Sequence, residues 1–266
     1  MRNRLSFSQY GIMVALLAAA TAGSSFSYET AARFPGATRA LSTDSFVDGT
    51  VRLRTRTIDN FSMCKTGWGA AFSVDLSAYG LRGSRYLLTA AHLIDIYNGK
   101  IMPRGELEIE VGKNLWAPCK VIALDVHRDL CLLESSVRMP VMSKLCSVED
   151  IRFVGEVGEG VVIVGCPKGV PPCISRGILT DKDPAVAGVR WQAAAQFNHG
   201  NSGGPVYDAK TGKVIGVAVA GISDGFGDMR PDTALFAPFT EVRSFLDVAI
   251  ATHAIGSHQK TIARRN

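Results

Sequence analysis

The chain has 266 residues, of which 47% are hydrophobic, so it has ample material for a large buried core. Its formal charge of +5 comes from the two ends, because residues 1–22 and the residues after Ile250 carry basic side chains and no acids, and the body between them has no net charge. A neutral body offers no electrostatic footprint for nucleic acid, and we expect no nucleic-acid partner.

The first 22 residues have the pattern of a secretory signal peptide. Arg2 and Arg4 precede an apolar run at 11–22, which ends in the small-x-small sequence Ala-Thr-Ala. About 12 apolar residues are too few to span a bilayer, which needs about 20. We therefore expect cleavage after Ala22, a secreted or periplasmic location, and no stable membrane anchor.

The remainder of the chain is patterned in strands, as in an all-β protein. Val51–Thr55 and Glu106–Val111 alternate apolar and polar residues, which predicts strands with one buried face. Short apolar runs bounded by Gly, Pro, Asn or Asp predict further strands at Gly69–Val74, Tyr86–Thr89, Lys120–Leu124, Leu130–Leu133, Gly160–Val164, Val189–Ala195, Val214–Ala220 and Ala234–Ala237. Strands at this spacing indicate an antiparallel barrel or a sandwich.

Two helical segments are predicted among these strands. One is a short turn at Leu93–Tyr97, and the other is Phe239–His253, whose apolar residues share one face. The residues after Ile250 are basic and their end lacks an apolar period, so we assign 251–266 to a C-terminal tail.

Three short segments carry the side chains of nucleophilic catalysis, in the chain order His, Asp, Ser. His92 ends an apolar run, Asp129 begins another, and Ser202 lies in the glycine-rich stretch 197–205. Glycine permits positive φ and brings main-chain N–H groups close to a ligand, which a serine attacking a carbonyl requires. We expect Gly200 and Ser202 to supply the two donors of an oxyanion hole, and His92 to act as the base that activates the serine.

The sequences TAAH at 89–92, DLCLL at 129–133 and GNSGGP at 200–205 resemble the local signatures of the chymotrypsin-like (trypsin-fold) serine proteases. The resemblance implies two six-stranded antiparallel barrels with the active site between them and a C-terminal helix. His92 and Asp129 would come from the first barrel and Ser202 from the second. The implied function is that of a serine endopeptidase acting on protein or peptide substrates, without a metal or another cofactor.

The segment 158–167 is more similar to the bacterial HtrA-type and glutamyl-endopeptidase-type members than to the digestive ones. HtrA-type proteases usually add C-terminal PDZ domains, and we expect none after Leu246. The predicted organisation is a signal peptide at 1–22, an N-terminal segment at 23–47, a trypsin-like serine protease domain at 48–250, and the tail at 251–266.

Two neighbouring side chains compete for the catalytic roles. His127 lies two residues before Asp129, and we interpret it as a loop residue near the cleft. Asp125 is the rival acid, but it precedes a turn, whereas Asp129 begins the apolar strand as in the resembled family. The resemblance therefore favours Asp129.

The pocket for the P1 side chain, the substrate residue before the cut, is also inferred from the resemblance. It would be formed by Gln196, Phe197, His199, Val219, Ala220 and Gly221, with a purely structural role as the alternative for His199. None of these is acidic, which argues against a strong Lys/Arg preference. Small or medium apolar P1 residues are expected, with glutamate as the alternative because His199 could pair with an acid.

Asn201 stands where digestive members have the aspartate that pairs with a freed N-terminus. An activation ion pair of that type is impossible with a neutral amide. We therefore expect the mature chain to be active without further N-terminal processing.

All six cysteines lie after the predicted signal peptide, and an even number in an exported chain favours disulfides. Cys166 and Cys173 could close a local loop, and Cys119 and Cys131 flank Asp125 at equal distance, as opposite residues of a hairpin would. Cys64 and Cys146 remain. Buried free thiols are the alternative, and no spacing suggests a zinc site.

Two other functions compete with the endopeptidase. The first is a catalytically silent binding module on the same fold, which would need a broken triad. The second is a lipase or esterase, since residues 200–204 fit GxSxG, but that class usually has the order Ser, Asp, His.

Overall fold

The computed structural model describes residues 46–58, 64–94, 96–97, 100–101, 106–147, 150, 154–184, 190–223 and 229–263. The predicted signal peptide and all but the last two residues of the N-terminal segment lie outside this range, as does Val189 of one predicted strand. Of the helices within it, none is both long and apolar enough to cross a membrane.

The first half of the described chain folds into a closed antiparallel barrel of six strands. They are β1 (Thr50–Ile58), β2 (Cys64–Ser73), β3 (Tyr86–Thr89), β6 (Glu106–Gly112), β7 (Leu115–Asp125) and β8 (Leu130–Ser135), with β4 (Ile96–Tyr97) and β5 (Lys100–Ile101) as a separate pair. The order around the barrel is β1-β2-β3-β8-β7-β6. Each strand therefore has two neighbours, and no edge is left open.

The second half forms another closed six-stranded barrel, in the order β10-β11-β14-β13-β12-β9. Its strands are β9 (Gly160–Gly165), β10 (Cys173–Asp181), β11 (Trp191–Ala194), β12 (Pro205–Asp208), β13 (Val214–Ser223) and β14 (Met229–Pro238). The prediction of two six-stranded antiparallel barrels is confirmed, and the sandwich is excluded.

A core shared by the two barrels fixes their arrangement. Phe72 and Leu88 of the first barrel, Val164 and Val217 of the second, and Leu246 of the C-terminal helix belong to one buried cluster. Each barrel also has an interior of its own, around Leu53 and Ile109 in the first and Ile163 and Phe236 in the second. Because apolar burial is the main stabilising term, the cleft between the barrels is built on a rigid support.

The helix α1 (Phe239–Ala263) begins where predicted but runs past His253, into the segment assigned to the tail. Val242, Phe245 and Leu246 form its buried face. Glu241 in its first turn accepts a 2.8 Å hydrogen bond from Arg128 of the β7–β8 turn, which ties the helix to the first barrel.

The predicted turn at Leu93–Tyr97 is wrong in its position. A single 3₁₀ turn spans Ala91–Leu93 and contains His92, and Ile96–Tyr97 is instead the strand β4. The turn follows one residue after β3 ends, and the Ile94 amide closes it by donating to the Ala91 carbonyl at 2.9 Å.

The predicted disulfides are not present: the five described cysteines, which are Cys119, Cys131, Cys146, Cys166 and Cys173, are free thiols, and the side chain of Cys64 lies outside the described residues. The β7–β8 hairpin turns at 126–129 rather than about Asp125. As a result Cys119 faces Ser135 and Cys131 faces Leu124. Burial raises the pKa of Cys119 to about 12, so this thiol is not ionised near neutral pH.

The linker between the barrels is clamped to the β12–β13 turn by an ion pair. Lys213 Nζ lies 2.6 Å from Asp150 Oδ1, and the Ser147 amide donates to the other carboxylate oxygen at 2.7 Å. These bonds, that from Lys213 first, lower the pKa of Asp150 to about 2.

Lys213→Met is expected to raise the pKa of Asp150 towards the ordinary aspartate value of about 4. Because the native pKa is lowered, the pair stabilises the fold above about pH 4, and this stabilisation is lost as the pH falls through about 2. Carbon-13 NMR titration of the Asp150 carboxyl measures the shift. Lys210→Met, at an exposed lysine of the same turn, is the control. An unchanged Asp150 titration in Lys213→Met would show that the ion pair is not made in solution.

Candidate active site

The His92 side chain is paired with Asp129. His92 Nδ1 lies 2.8 Å from Asp129 Oδ2, and the His92 main-chain amide donates to Asp129 Oδ1 at the same distance. The imidazole is 45% exposed, and the carboxylate beneath it is 18% exposed. One carboxylate oxygen thus binds the main chain of His92 and the other binds its ring, and together they fix the orientation of the ring.

The β7–β8 hairpin places the carboxylate. Asp129 is the last residue of its four-residue turn and has φ of +55°, a left-handed conformation that aspartate tolerates better than most residues. The Ala91 amide donates to the Asp129 carbonyl at 3.2 Å, so the turn is joined to the 3₁₀ turn that carries His92.

The rival acid Asp125 has a structural partner instead. It accepts bonds from the Arg128 amide at 2.9 Å and from its guanidinium at 2.7 Å. Burial acts to raise the pKa of Asp125, but the bonds from Arg128 outweigh it and the pKa lies below its ordinary value. The rival base His127 is exposed on the same turn.

Ser202 lies on the loop between β11 and β12, where the second barrel meets the first. The Ala70 amide of β2 donates to the Ser202 carbonyl at 2.8 Å, and the Gly203 amide donates to the Ala218 carbonyl of β13 at 2.7 Å. Gly203 has φ of +85°, and a Cβ there would lie 2.2 Å from the Ala70 carbonyl oxygen. Only glycine therefore permits this close approach between the barrels.

The amides of Gly200 and Ser202 point at no acceptor among the described residues. Within the described part of the chain neither donates a hydrogen bond, whereas the Asn201 amide between them donates to the Asn198 carbonyl at 3.0 Å. Gly200 has φ of +98°, and a Cβ there would lie 2.2 Å from the Cys166 carbonyl oxygen. The loop thus presents two unpaired donors that flank a turn, as an oxyanion hole requires.

The hydroxyl of Ser202 faces the Val219 carbonyl of β13. Its Oγ lies 3.5 Å from the Val219 carbonyl oxygen, and among the hydrogen bonds of the described residues there is none between Ser202 and the His92 ring. The structure therefore joins His92 to Asp129 but leaves the serine unpaired with the histidine. Such bonds are often long or absent in a protein without substrate.

The residues expected at the P1 pocket differ in exposure. Gln196 and His199 are exposed, and Ala220 and Gly221 on β13 are half-buried. Phe197 is 2% exposed and packs in the core of the second barrel, so its side chain has almost no surface to offer a substrate.

A turn at 166–173 contacts the serine loop and was not anticipated from the sequence. The Lys168 amide donates to the His199 carbonyl at 2.6 Å, and the Cys166 amide donates to the Gly200 carbonyl at 3.1 Å. No local sequence signal marks this contact, because it joins segments that only the closed barrel brings together. In the described range no group of three His, Cys, Asp or Glu side chains is arranged to hold a metal ion.

Comparison with known proteins gives a match for more than half of the chain. A family model described as "Trypsin-like peptidase domain" matches residues 67–217. This range includes His92, Asp129 and Ser202.

Two curated relatives are proteases. A DegP-like protein of Pseudomonas putida, named as a probable periplasmic serine endoprotease, is 24% identical over 139 residues, which cover 51% of this chain and 28% of the relative. The magnetosome formation protease MamE of Paramagnetospirillum magneticum is 27% identical over 146 residues, covering 53% of this chain and 19% of the relative. The chain therefore spans less than a third of the length of these relatives.

Solved structures share the fold. The HtrA-type protease AlgW with a tripeptide aligns with a TM-score of 0.61 at 20% identity, over 80% of this chain and 63% of that one. The active form of the Rv3671c protease from M. tuberculosis aligns with a TM-score of 0.58 at 18% identity, over 76% and 81%. At these identities the likeness establishes the fold alone.

Proposed function

The chain belongs to the trypsin-like peptidase family, and we propose that it is a serine endopeptidase, which hydrolyses peptide bonds through a triad of Ser202, His92 and Asp129. The observation that carries this proposal is the His92–Asp129 pair, which is joined by two hydrogen bonds and lies where the first barrel meets the Ser202 loop.

The bonds of Asp129 define the role of the histidine. A carboxylate at Nδ1 keeps the ring proton on that nitrogen, so Nε2 carries the lone pair and can accept a proton. In the reacting complex we expect the Ser202 hydroxyl to donate to Nε2 rather than to the Val219 carbonyl. The serine oxygen then attacks the substrate carbonyl, His92 takes its proton and delivers it to the leaving amine, and Asp129 stabilises the imidazolium between the two steps. Water then attacks the acyl-enzyme, His92 takes the proton of the water and returns it to the Ser202 oxygen, and the second product is released.

The amides of Gly200 and Ser202 would stabilise the negative charge of the transition state by hydrogen bonds. The carbonyl oxygen of the substrate becomes an oxyanion on attack, and two preorganised N–H donors stabilise it without reorganisation. A donor of this kind contributes about 3 kcal/mol to the transition state in comparable enzymes.

The P1 pocket is proposed at Gln196, His199 and the β13 residues Val219, Ala220 and Gly221, whereas Phe197 packs in the core of the second barrel. These side chains carry no acid, which disfavours Lys and Arg substrates. The small wall residues on β13 favour small or medium apolar side chains, and exposed His199 leaves glutamate as the alternative. A peptide-library cleavage profile decides between them.

We further propose that the chain is exported. The residues that support this, 1–22, have the charge and apolar pattern of a signal peptide. The DegP-like relative is named as periplasmic, which agrees with that destination.

A fluorophosphonate probe tests the catalytic proposal. The purified chain is expected to react covalently at one serine, identified as Ser202 by peptide mass spectrometry, and to hydrolyse a casein or peptide library. A chain that binds peptides but neither reacts with the probe nor cleaves them would be a binding module. Labelling at any other serine would contradict the assignment of the nucleophile.

A further inference from the structure

A row of ion pairs lies on the outer face of the first barrel. One of its arginines also contacts the turn before β10 of the second barrel. Arg52, Arg54 and Arg56 of β1 face Glu110, Glu108 and Glu106 of β6, respectively. Arg52 alone among them also donates Nη1 to the Gly169 carbonyl at 2.7 Å, within the described part of the chain.

The contact at Gly169 is firmly held. Arg52 donates Nε to Glu110 Oε2 at 2.6 Å and Nη2 to Glu110 Oε1, and the two side chains are 15% and 14% exposed. The bond from Arg52 lowers the pKa of Glu110, so the pair is fully charged at neutral pH. A planar guanidinium held along one edge by a bidentate carboxylate has little freedom left, and its remaining nitrogen Nη1 is therefore aimed at Gly169.

The turn that Arg52 holds is strained and is bonded to the serine loop. Lys168 has φ of +54°, a conformation that persists only where surrounding bonds enforce it. The Gly169 amide donates to the Cys166 carbonyl at 2.9 Å, and the Lys168 amide donates to the His199 carbonyl at 2.6 Å.

This last bond sets the direction of an oxyanion donor. The His199 carbonyl and the Gly200 N–H belong to one planar trans peptide group, so they point in opposite directions. Holding the His199 oxygen against Lys168 therefore turns the Gly200 N–H away from the turn and leaves it unpaired. The Cys166 amide holds the next carbonyl, that of Gly200, in the same way.

We propose that Arg52 is a positioning residue, which fixes the turn at 166–173 and through it the orientation of the Gly200 N–H in the oxyanion hole. The role in catalysis rests on the proposed function, but the mechanical link does not. It connects the outer face of the first barrel to the serine loop of the second.

The chain offers a matched control in the next arginine of the row. Arg54 pairs with Glu108 at 2.8 Å, the two side chains are 21% and 16% exposed, and its guanidinium lies 4.0 Å from the centre of the Trp116 ring, against 5.5 Å for Arg52. Arg54→Gln therefore removes an equivalent ion pair and a closer aromatic contact without touching Gly169.

Two measurements on Arg52→Gln and Arg54→Gln test the proposal. In the absence of substrate, amide hydrogen exchange by NMR is expected to accelerate at Lys168 and Asn201 at least tenfold in Arg52→Gln and to stay within about twofold of the parent in Arg54→Gln. In steady-state kinetics, kcat is expected to fall about 10- to 100-fold in Arg52→Gln with little change in KM, because a displaced donor weakens the transition state alone. The affinity for a peptide aldehyde, which forms an oxyanion with the serine, falls in parallel.

The outcomes separate the two proposals. Unchanged exchange in Arg52→Gln, or equal changes in both variants, would overturn the positioning role, and so would a fall in kcat without altered exchange. If the parent chain cleaves nothing while exchange still accelerates only in Arg52→Gln, the mechanical link stands and the proposed function fails. Thermal unfolding of both variants verifies that each retains the fold.

Discussion

Ser202→Ala is expected to reduce kcat for peptide hydrolysis by about 10⁴- to 10⁶-fold, with the fold intact. The hydroxyl is the only group proposed to attack the substrate, and catalysis that remains without it comes from binding and the oxyanion hole. The side chain is 8% exposed, and among the described residues its Oγ has only the Val219 carbonyl as a partner, at 3.5 Å, so its removal costs little stability. Initial rates with an optimised peptide, together with probe labelling, measure the effect.

Ser73→Ala is the matched control, since Ser73 is also a buried serine and its Oγ has no partner within the described residues. It is expected to retain the parent activity. A Ser202→Ala preparation that keeps more than a few per cent of the parent rate, after contaminating proteases are excluded, would show that another residue is the nucleophile.

The parts of the fold that depend on local pattern could be predicted from the sequence. The strand β8 is a continuous apolar run because Leu130, Leu132 and Leu133 are all fully buried, and β1 alternates because its outer face carries arginines. The glycines near Ser202 were informative because backbones meet there at distances that exclude a Cβ.

The strand β10 escaped prediction for a physical reason. Gly177 interrupts its apolar pattern, although a Cβ there would lie 2.0 Å from the Ala194 carbonyl oxygen of β11. This glycine is thus required by strand packing, yet in the sequence it looks like the end of a strand. The strand β12 was missed because it is short and begins at Pro205, next to the glycine loop.

Cysteine pairing and the Arg52 contact depend on register and closure, which spacing does not determine. Cys119 and Cys131 are equidistant from Asp125, but the hairpin turns elsewhere and so pairs them with other residues. The bond from Arg52 to Gly169 spans 117 positions of the chain and forms only when the two barrels pack together. An arginine in an exposed strand and a glycine in a turn do not by themselves predict a bond between them.

Asp129→Asn is expected to lower kcat/KM by about 10⁴-fold while the protein stays folded. The oxygen of an asparagine can still accept the hydrogen bond from the His92 main-chain amide, which preserves the local backbone. Its NH₂ group then faces His92 Nδ1 and donates to it, so the ring proton moves to Nε2. The imidazole is left in the tautomer that cannot accept the proton of Ser202, and the loss falls on the rate rather than on substrate binding.

Asp125→Asn provides the control, because it changes the acid at the end of β7, directly before the same turn, and this acid bonds Arg128 and not His92. It is expected to lower the stability of the turn and to leave kcat within a few-fold of the parent. Nitrogen-15 NMR of the His92 ring reads the tautomer directly, and in Asp129→Asn the protonated nitrogen should change from Nδ1 to Nε2. Parent-like activity in Asp129→Asn, or an equal loss in Asp125→Asn, would mean that the observed His92–Asp129 pair has a structural role and that another group orients the base.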